Sequence, residues 1–243
     1  MKKFVLTSAT VLLFGTLSAI FLYQAVTRLA YGDSGSHWIT GLEILAFMGD
    51  TKAQFYLGNL YLEGNGVAQN TNEALKWWEQ AAASGSTDAQ YNLGFVYFRG
   101  KGVQQNVPEA INWWKKAAGH GDVQAEYYLG RLYLKGDGVP SSASDALQWF
   151  QKAADHGDVP SALALGDIYY KEDGQPVDHT KAALWWKKAA DSGSIEAATK
   201  LANMYENGEG VPQDKLEAAR WRDMAAQHKE LQKGVLFDSL EQK

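Results

Sequence analysis

Between Lys52 and Glu63, apolar Ala53, Leu57, Leu60 and Tyr61 fall at i, i+4, i+7 and i+8, the period of a helix with one buried face. Between Thr71 and Ser84 a second stripe of the same period runs through Ala74, Trp78 and Ala81, widened by Trp77 and Ala82. Gly64-Asn65-Gly66-Val67 separates the two; glycine after a helix takes the left-handed conformation, and the valine packs back. The spacing therefore predicts a helix, a glycine turn and a second helix. This pattern occurs five times. Gly58, Gly94, Gly130, Gly166 and Ala202 each lie 36 residues apart, as do Tyr61, Tyr97, Tyr133, Tyr169 and Tyr205. Ala74, Ala110, Ala146, Ala182 and Ala218 keep the same interval, and so do Trp77, Trp113, Trp149, Trp185 and Trp221. A fixed period of about 20–50 residues marks a solenoid, in which each unit buries its apolar face on its neighbours.

Several repeated residues read as packing. Glycine inside a helix costs about 1 kcal/mol relative to alanine. Its recurrence at Gly58 and its equivalents predicts close approach of the second helix, with alanine, the next smallest residue, at Ala202. The pairs Trp77/Trp78, Trp113/Trp114, Trp149/Phe150 and Trp185/Trp186, broken at Trp221/Arg222, read as core because they keep the period. Lys115, Lys116, Lys187 and Lys188 follow them as a solvated outer face, and Asp122 and Asp158 stand as helix-start acids. Residues 37–48 read as one capping helix, the second half of a repeat, because Gly49 lies 36 residues before Gly85. The fourth copy departs most, with Glu172 for the first loop glycine and Gln175 for the valine. The array is expected to end near residue 232, leaving 233–243 as a tail whose stretch from Gly234 to Leu240 is apolar.

Ahead of the repeats, Met1-Lys2-Lys3 precedes a run from Phe4 to Thr27 with no charged residue. About 20 apolar residues cross a bilayer as a helix. A cleaved signal has a shorter apolar region of about 7–15 residues and a small-x-small site. Thr16-Leu17-Ser18 and Leu17-Ser18-Ala19 are tolerable sites, but apolar character continues through Ile20, Phe21, Leu22 and Tyr23 and favours an uncleaved anchor. Residues 1–30 are thus expected to form a membrane anchor or signal segment, and 31–36 a flexible joint. Lys2 and Lys3 on the cytoplasmic side would set the repeats across the inner membrane, facing the periplasm in a bacterium. Cleavage would instead release the chain into the periplasm.

Composition narrows the chemistry. The net charge of −5 gives no basic face for nucleic acid. The absence of cysteine excludes disulfides, thiolate metal sites and cysteine nucleophiles. His120 and His156 are one repeat apart, too far to converge on one ion, since packed helices lie about 8–10 Å apart. No catalytic residue, cofactor or metal site is expected, and the chain does not read as an enzyme.

The pattern A-x-x-x-L-G-x-x-Y-x-x-G-x-G-V followed by E-A-x-x-W-W-x-x-A-A-x-x-G resembles the Sel-1-like repeat family, relatives of tetratricopeptide repeats, from Ala53 to about Ala226. The resemblance implies an all-α fold: a right-handed superhelical α-solenoid of five 36-residue helix-turn-helix repeats with an N-terminal capping helix, here following a separate transmembrane helix. It also implies a scaffold or adaptor for protein partners, with first helices lining the concave side. Positions there that differ between copies are candidates for binding: Phe55, Asn59, Tyr91, Phe95, Phe98, Arg99, Tyr127, Arg131, Asp167 and Tyr170. Their aromatic and arginine content suits interface anchors. A narrower form is an immunity protein neutralising a secreted toxin, a role the family includes. The alternatives are a binder of envelope polysaccharide or peptidoglycan, whose sugars stack on aromatic walls, and a regulatory subunit of an envelope enzyme or assembly complex.

Overall fold

The computed structural model describes residues 38–171 and 176–241, with side chains through Leu231. The anchor expected over residues 4–27, the joint at 31–36 and the substitutions at Glu172 and Gln175 lie outside the described residues. Among the described residues, no helix is long and apolar enough to cross a membrane.

Eleven helices, with no strand, make up the described chain: α1 (Trp38–Phe47), α2 (Thr51–Glu63), α3 (Thr71–Ala83), α4 (Thr87–Arg99), α5 (Val107–Gly119), α6 (Val123–Lys135), α7 (Ala143–Asp155), α8 (Val159–Tyr170), α9 (His179–Asp191), α10 (Ile195–Asn207) and α11 (Lys215–Glu241). They fall into two compact units, the first ending at Trp113 and the second beginning at Trp114. The expected pairing holds: α1 is the capping helix, and each later even-numbered helix opens a repeat that the next odd-numbered helix closes.

Local chemistry sets the boundaries. Each first helix starts behind a side-chain cap at the 36-residue interval: Asp50, Ser86, Asp122, Asp158 and Ser194 each accept the N–H three residues on. The Asp122 bond is 2.6 Å and the Asp158 bond 2.8 Å, confirming both as helix-start acids. Such a cap contributes about 1 kcal/mol. Left-handed glycines end four of the first helices, at Gly64, Gly100, Gly136 and Gly208. The fourth copy lacks that glycine, and α8 stops one residue early with Lys171 in extended conformation (φ −108°, ψ 156°).

In the first unit, Leu42, Leu45 and Ala46 of α1 bury against Ala53 and Leu57 of α2. Trp78 of α3 joins Ala89, Leu93 and Val96 of α4 in a second cluster. The second unit shares one cluster through Phe150, Leu165, Ile168, Trp186, Leu201, Met204 and Trp221. The buried face of α2 is Ala53, Gln54, Leu57 and Gly58, whereas Leu60 and Tyr61, expected in that stripe, are only half-buried. Gln54 can face inward because its amide donates to the Ala46 carbonyl (3.1 Å), near the end of the preceding helix; Gln90 does the same for Ala82 (3.1 Å). Those terminal carbonyls have no partner within their own helix.

The glycine expectation is met. A methyl group at Gly58 would stand 2.2 Å from the Trp78 indole, and at Gly130 2.7 Å from the Phe150 ring. The second aromatic of each pair is core, but Trp77, Trp113, Trp149 and Trp185 remain half-buried. The outer lysines do more than meet solvent: Lys152 lies 4.3 Å over Trp149 and Lys188 4.8 Å over Trp185. The last helix passes residue 232 unbroken, so 233–241 extends α11 to 27 residues.

Candidate functional site

The variable positions of the first helices are partly exposed, and Arg99 is exposed. On α2 of the first unit, Phe55 packs at the edge of the core. Asn59 Oδ1 accepts the Trp78 indole N–H at 3.2 Å, a bond shared with the Phe55 carbonyl. On α4, which also carries half-buried Tyr91, the Arg99 guanidinium lies 5.4 Å from the Phe95 ring centre and 5.9 Å from that of Phe98. Asn59 therefore serves the packing of its own helix pair. The Phe95–Phe98–Arg99 group forms a cation-on-aromatic cluster at the end of α4.

The second unit holds the remaining four, in two separate pairs. On α6, Arg131 lies 5.6 Å over the Tyr127 ring, which in turn stands 6.0 Å from buried Phe150. On α8, Asp167 accepts the Trp186 indole N–H (3.1 Å) and pairs with Lys200 Nζ (2.6 Å), which also reaches Glu196 (2.9 Å). Tyr170 donates its hydroxyl to Glu209 (2.8 Å), stacks on His179 (4.8 Å, 24°) and approaches Trp186 (5.0 Å). The Glu209 hydrogen bond, then burial, then the carboxylate charge push the Tyr170 hydroxyl pKa up. Burial pulls the Lys200 ammonium down, but bonds and charge from Asp167 and Glu196 outweigh it, and the net direction is up.

Asp167, Tyr170, Lys200 and Glu209, but not Tyr127 or Arg131, border a cleft of about 380 Å³ whose floor is Trp186 and Met204. Asp167, Tyr170 and Lys171 come from the end of α8; Lys200, Asn203 and Asn207 come from α10, with Glu209 just beyond it. Lys200, Asn203 and Glu209 were not singled out from sequence. They belong to the fifth copy, at the positions equivalent to Ala164, Asp167 and Asp173 of the fourth. Both charge signs over an aromatic floor suit polar and aromatic side chains of a peptide. No group of three or more histidine, aspartate or glutamate residues suited to a metal occurs among the described residues. His156 instead bonds Glu126 (2.9 Å).

Capped helix pairs at a constant interval, three of them keyed by a glycine against a ring at Gly58, Gly130 and Gly166, define a tandem-repeat scaffold of the α-solenoid class. Five consecutive segments, residues 51–86, 87–122, 123–158, 159–194 and 195–229, match the Sel1 repeat. The chain belongs to the Sel1 repeat family, whose solenoids are protein-interaction scaffolds and typically not enzymes. It is similar to c5321, a protective antigen of uropathogenic Escherichia coli strains with an SLR fold: 32% identity and a TM-score of 0.74 over 84% of this chain. That match spans 45% of c5321, so this chain corresponds to less than half of that protein. A Sel1 repeat protein from Oxalobacter formigenes is also 32% identical, with a TM-score of 0.70 over 87% of this chain and 84% of the other. No curated protein matches this chain at a significant level.

Proposed function

We propose that this chain is a membrane-tethered, periplasm-facing scaffold that captures a protein partner on the variable face of its first helices. The observation that carries the reading is the arginine–aromatic pair at i, i+4 in each unit, Phe95–Arg99 and Tyr127–Arg131. A guanidinium held over a ring by its own helix is already ordered, so less side-chain freedom is lost when a partner docks. Aromatic and arginine side chains are the usual anchors of protein interfaces. Tethering is supported by the uncharged run from Phe4 to Thr27 behind Lys2 and Lys3. The narrower role, neutralising a secreted toxin, follows the family resemblance alone.

The test is capture from detergent-solubilised membranes with the full chain and with a Tyr91→Ala/Tyr127→Ala/Arg131→Ala variant of unchanged helicity. A stoichiometric protein partner lost by the variant is the expected result, and a toxin as that partner would establish the narrower role. Equal capture by both chains rejects the face. Retention on purified cell-wall polymer in place of a protein favours the polymer-binding alternative. A reporter fused after Lys243 and active only in the cytoplasm rejects the topology.

A further inference from the structure

Three outward positions of the second helices change character at one end of the array. Ile44 of α1 corresponds to Gln80, Lys116, Lys152 and Lys188 in the following copies, and Phe47 to Ala83, Gly119, Asp155 and Asp191. Met48 corresponds to Ser84, His120, His156 and Ser192. In the later copies these positions are mostly polar or charged, apart from Ala83, Gly119 and Met224; Lys188 reaches Asp155 (3.3 Å), and Asp191 takes Lys187 (2.7 Å). At the end of α1, with Met48 one residue beyond it, they are apolar and open, with Ile44 41%, Phe47 83% and Met48 53% exposed. Spaced i, i+3, i+4, they share one helix face. Phe47 stands edge-on to half-buried Trp77 of α3 (5.6 Å, 84°), which carries the apolar surface onto the next helix. Phe47 is the most exposed large apolar side chain among the described residues.

We infer that Ile44, Phe47, Met48 and Trp77 form an apolar foot that enters the headgroup boundary of the bilayer holding residues 4–27. The inference rests on the tethered reading above. A lipid surface is the occupant for two reasons. Only the copy nearest the uncharged 24-residue run carries large apolar residues at all three positions. Moreover, α1 begins only ten residues after Arg28, so the foot is the part of the repeats closest to that run along the chain. Aromatic side chains favour the membrane–water interface. A tether also makes the second contact intramolecular, so a weak foot suffices to hold the scaffold in one orientation.

The chain has no cysteine, so single cysteines can be labelled cleanly. The full chain carrying Phe47→Cys, or Asp191→Cys at the equivalent position four repeats on, is labelled with an environment-sensitive dye and reconstituted into phosphatidylethanolamine/phosphatidylglycerol vesicles. The dye at position 47 is expected to brighten several-fold and be quenched by lipids spin-labelled near the headgroup, while the dye at 191 stays water-exposed. In a second arm, Phe47→Ala/Met48→Ala raises exposure of a dye at Ile44→Cys at least threefold without releasing the chain from the vesicles. A water-exposed dye at 47 in vesicles that retain the chain overturns the foot and leaves the tether standing. A chain that sediments without vesicles overturns the tether; the dye is then read on adding vesicles to the free chain, and unchanged emission overturns the foot too. Shielding already present in detergent assigns the face to residues 4–27, and shielding that depends on protein concentration assigns it to a second copy; either overturns the lipid assignment.

Discussion

Gly166 is the notch that admits the Trp186 indole: a methyl group there would stand 2.2 Å from its Cδ1. The indole is buried and its N–H is bound to Asp167, so it cannot swing aside freely. Gly166→Ala should destabilise by about 1–3 kcal/mol, the usual cost of overpacking. In a Trp186→Leu background the same change should cost nothing or stabilise slightly, because alanine is the better helix former by about 1 kcal/mol. Urea denaturation of the four chains closes the cycle. Equal costs in both backgrounds would show that the ring does not fill the notch.

Glu126 is 2% exposed, and its carboxylate meets the half-exposed His156 ring at 2.9 Å. Removing the ring by His156→Ala leaves a buried carboxylate without that partner, at about 2 kcal/mol after allowance for the exposed side. For a chain of this size that lowers Tm by about 4–8 °C. Adding Glu126→Gln should recover most of the loss. Gln54 and Gln90 hold the same register position and give their amides to helix-end carbonyls. A double variant melting no higher than the single one would refute this.

Asp167 serves the Trp186 indole and the Lys200 ammonium at once. Asp167→Asn keeps an acceptor for the indole and loses only a partly exposed ion pair, about 0.2–1 kcal/mol. Asp167→Ala also strands the indole N–H and should cost about 1–3 kcal/mol. Chemical denaturation separates the two. The same cost for both variants would mean that the ion pair, not the indole bond, is what Asp167 supplies.

Tyr170 and Lys200 both hold their protons more tightly in the folded chain than unfolded, the tyrosine through Glu209 and burial, the lysine through Asp167 and Glu196 against burial. A raised folded pKa gives stabilisation that is complete below the unfolded value, near 10 for tyrosine, and lost as pH rises through the folded value. Stability should therefore fall as pH rises above about 10. The fall should be shallower in Tyr170→Phe, which has no phenolic proton to lose. Parallel pH profiles for the two chains would count against the Glu209 bond.

The helix order, turn glycines, ring notches and two of the caps, Asp122 and Asp158, were legible, because packing repeats whatever it fixes and the chain supplies its own comparison. Legibility failed where a side chain serves one copy only. Asn59 and Asp167 vary, and so read as free binding positions, yet each accepts an indole N–H. A partial signal lay 19 residues on: an acceptor at this position accompanies Trp78 and Trp186, and Arg131 accompanies Phe150, which has no N–H to satisfy, but Phe95 accompanies Trp114 and breaks the rule. Glu126 and His156 gave no such clue, being 30 residues apart with nothing apolar to set a period. The cleft was half visible because its α10 wall lies in the fifth copy, beyond the candidate positions of the first four.

The ring-and-notch key also sorts the copies by ancestry of use. Copies one and four carry the same set: glycine, tryptophan and an acceptor for its N–H. At this key their second helices match. Copy three has traded the indole for a phenyl ring, and copy five has closed the notch with Ala202 opposite Arg222. Grafting α7 onto α2 would leave Asn59 without its donor, and grafting α9 onto α10 would drive an indole into a methyl group. Duplication made the units alike, but only matched keys leave a chain that can lengthen or shorten by whole repeats.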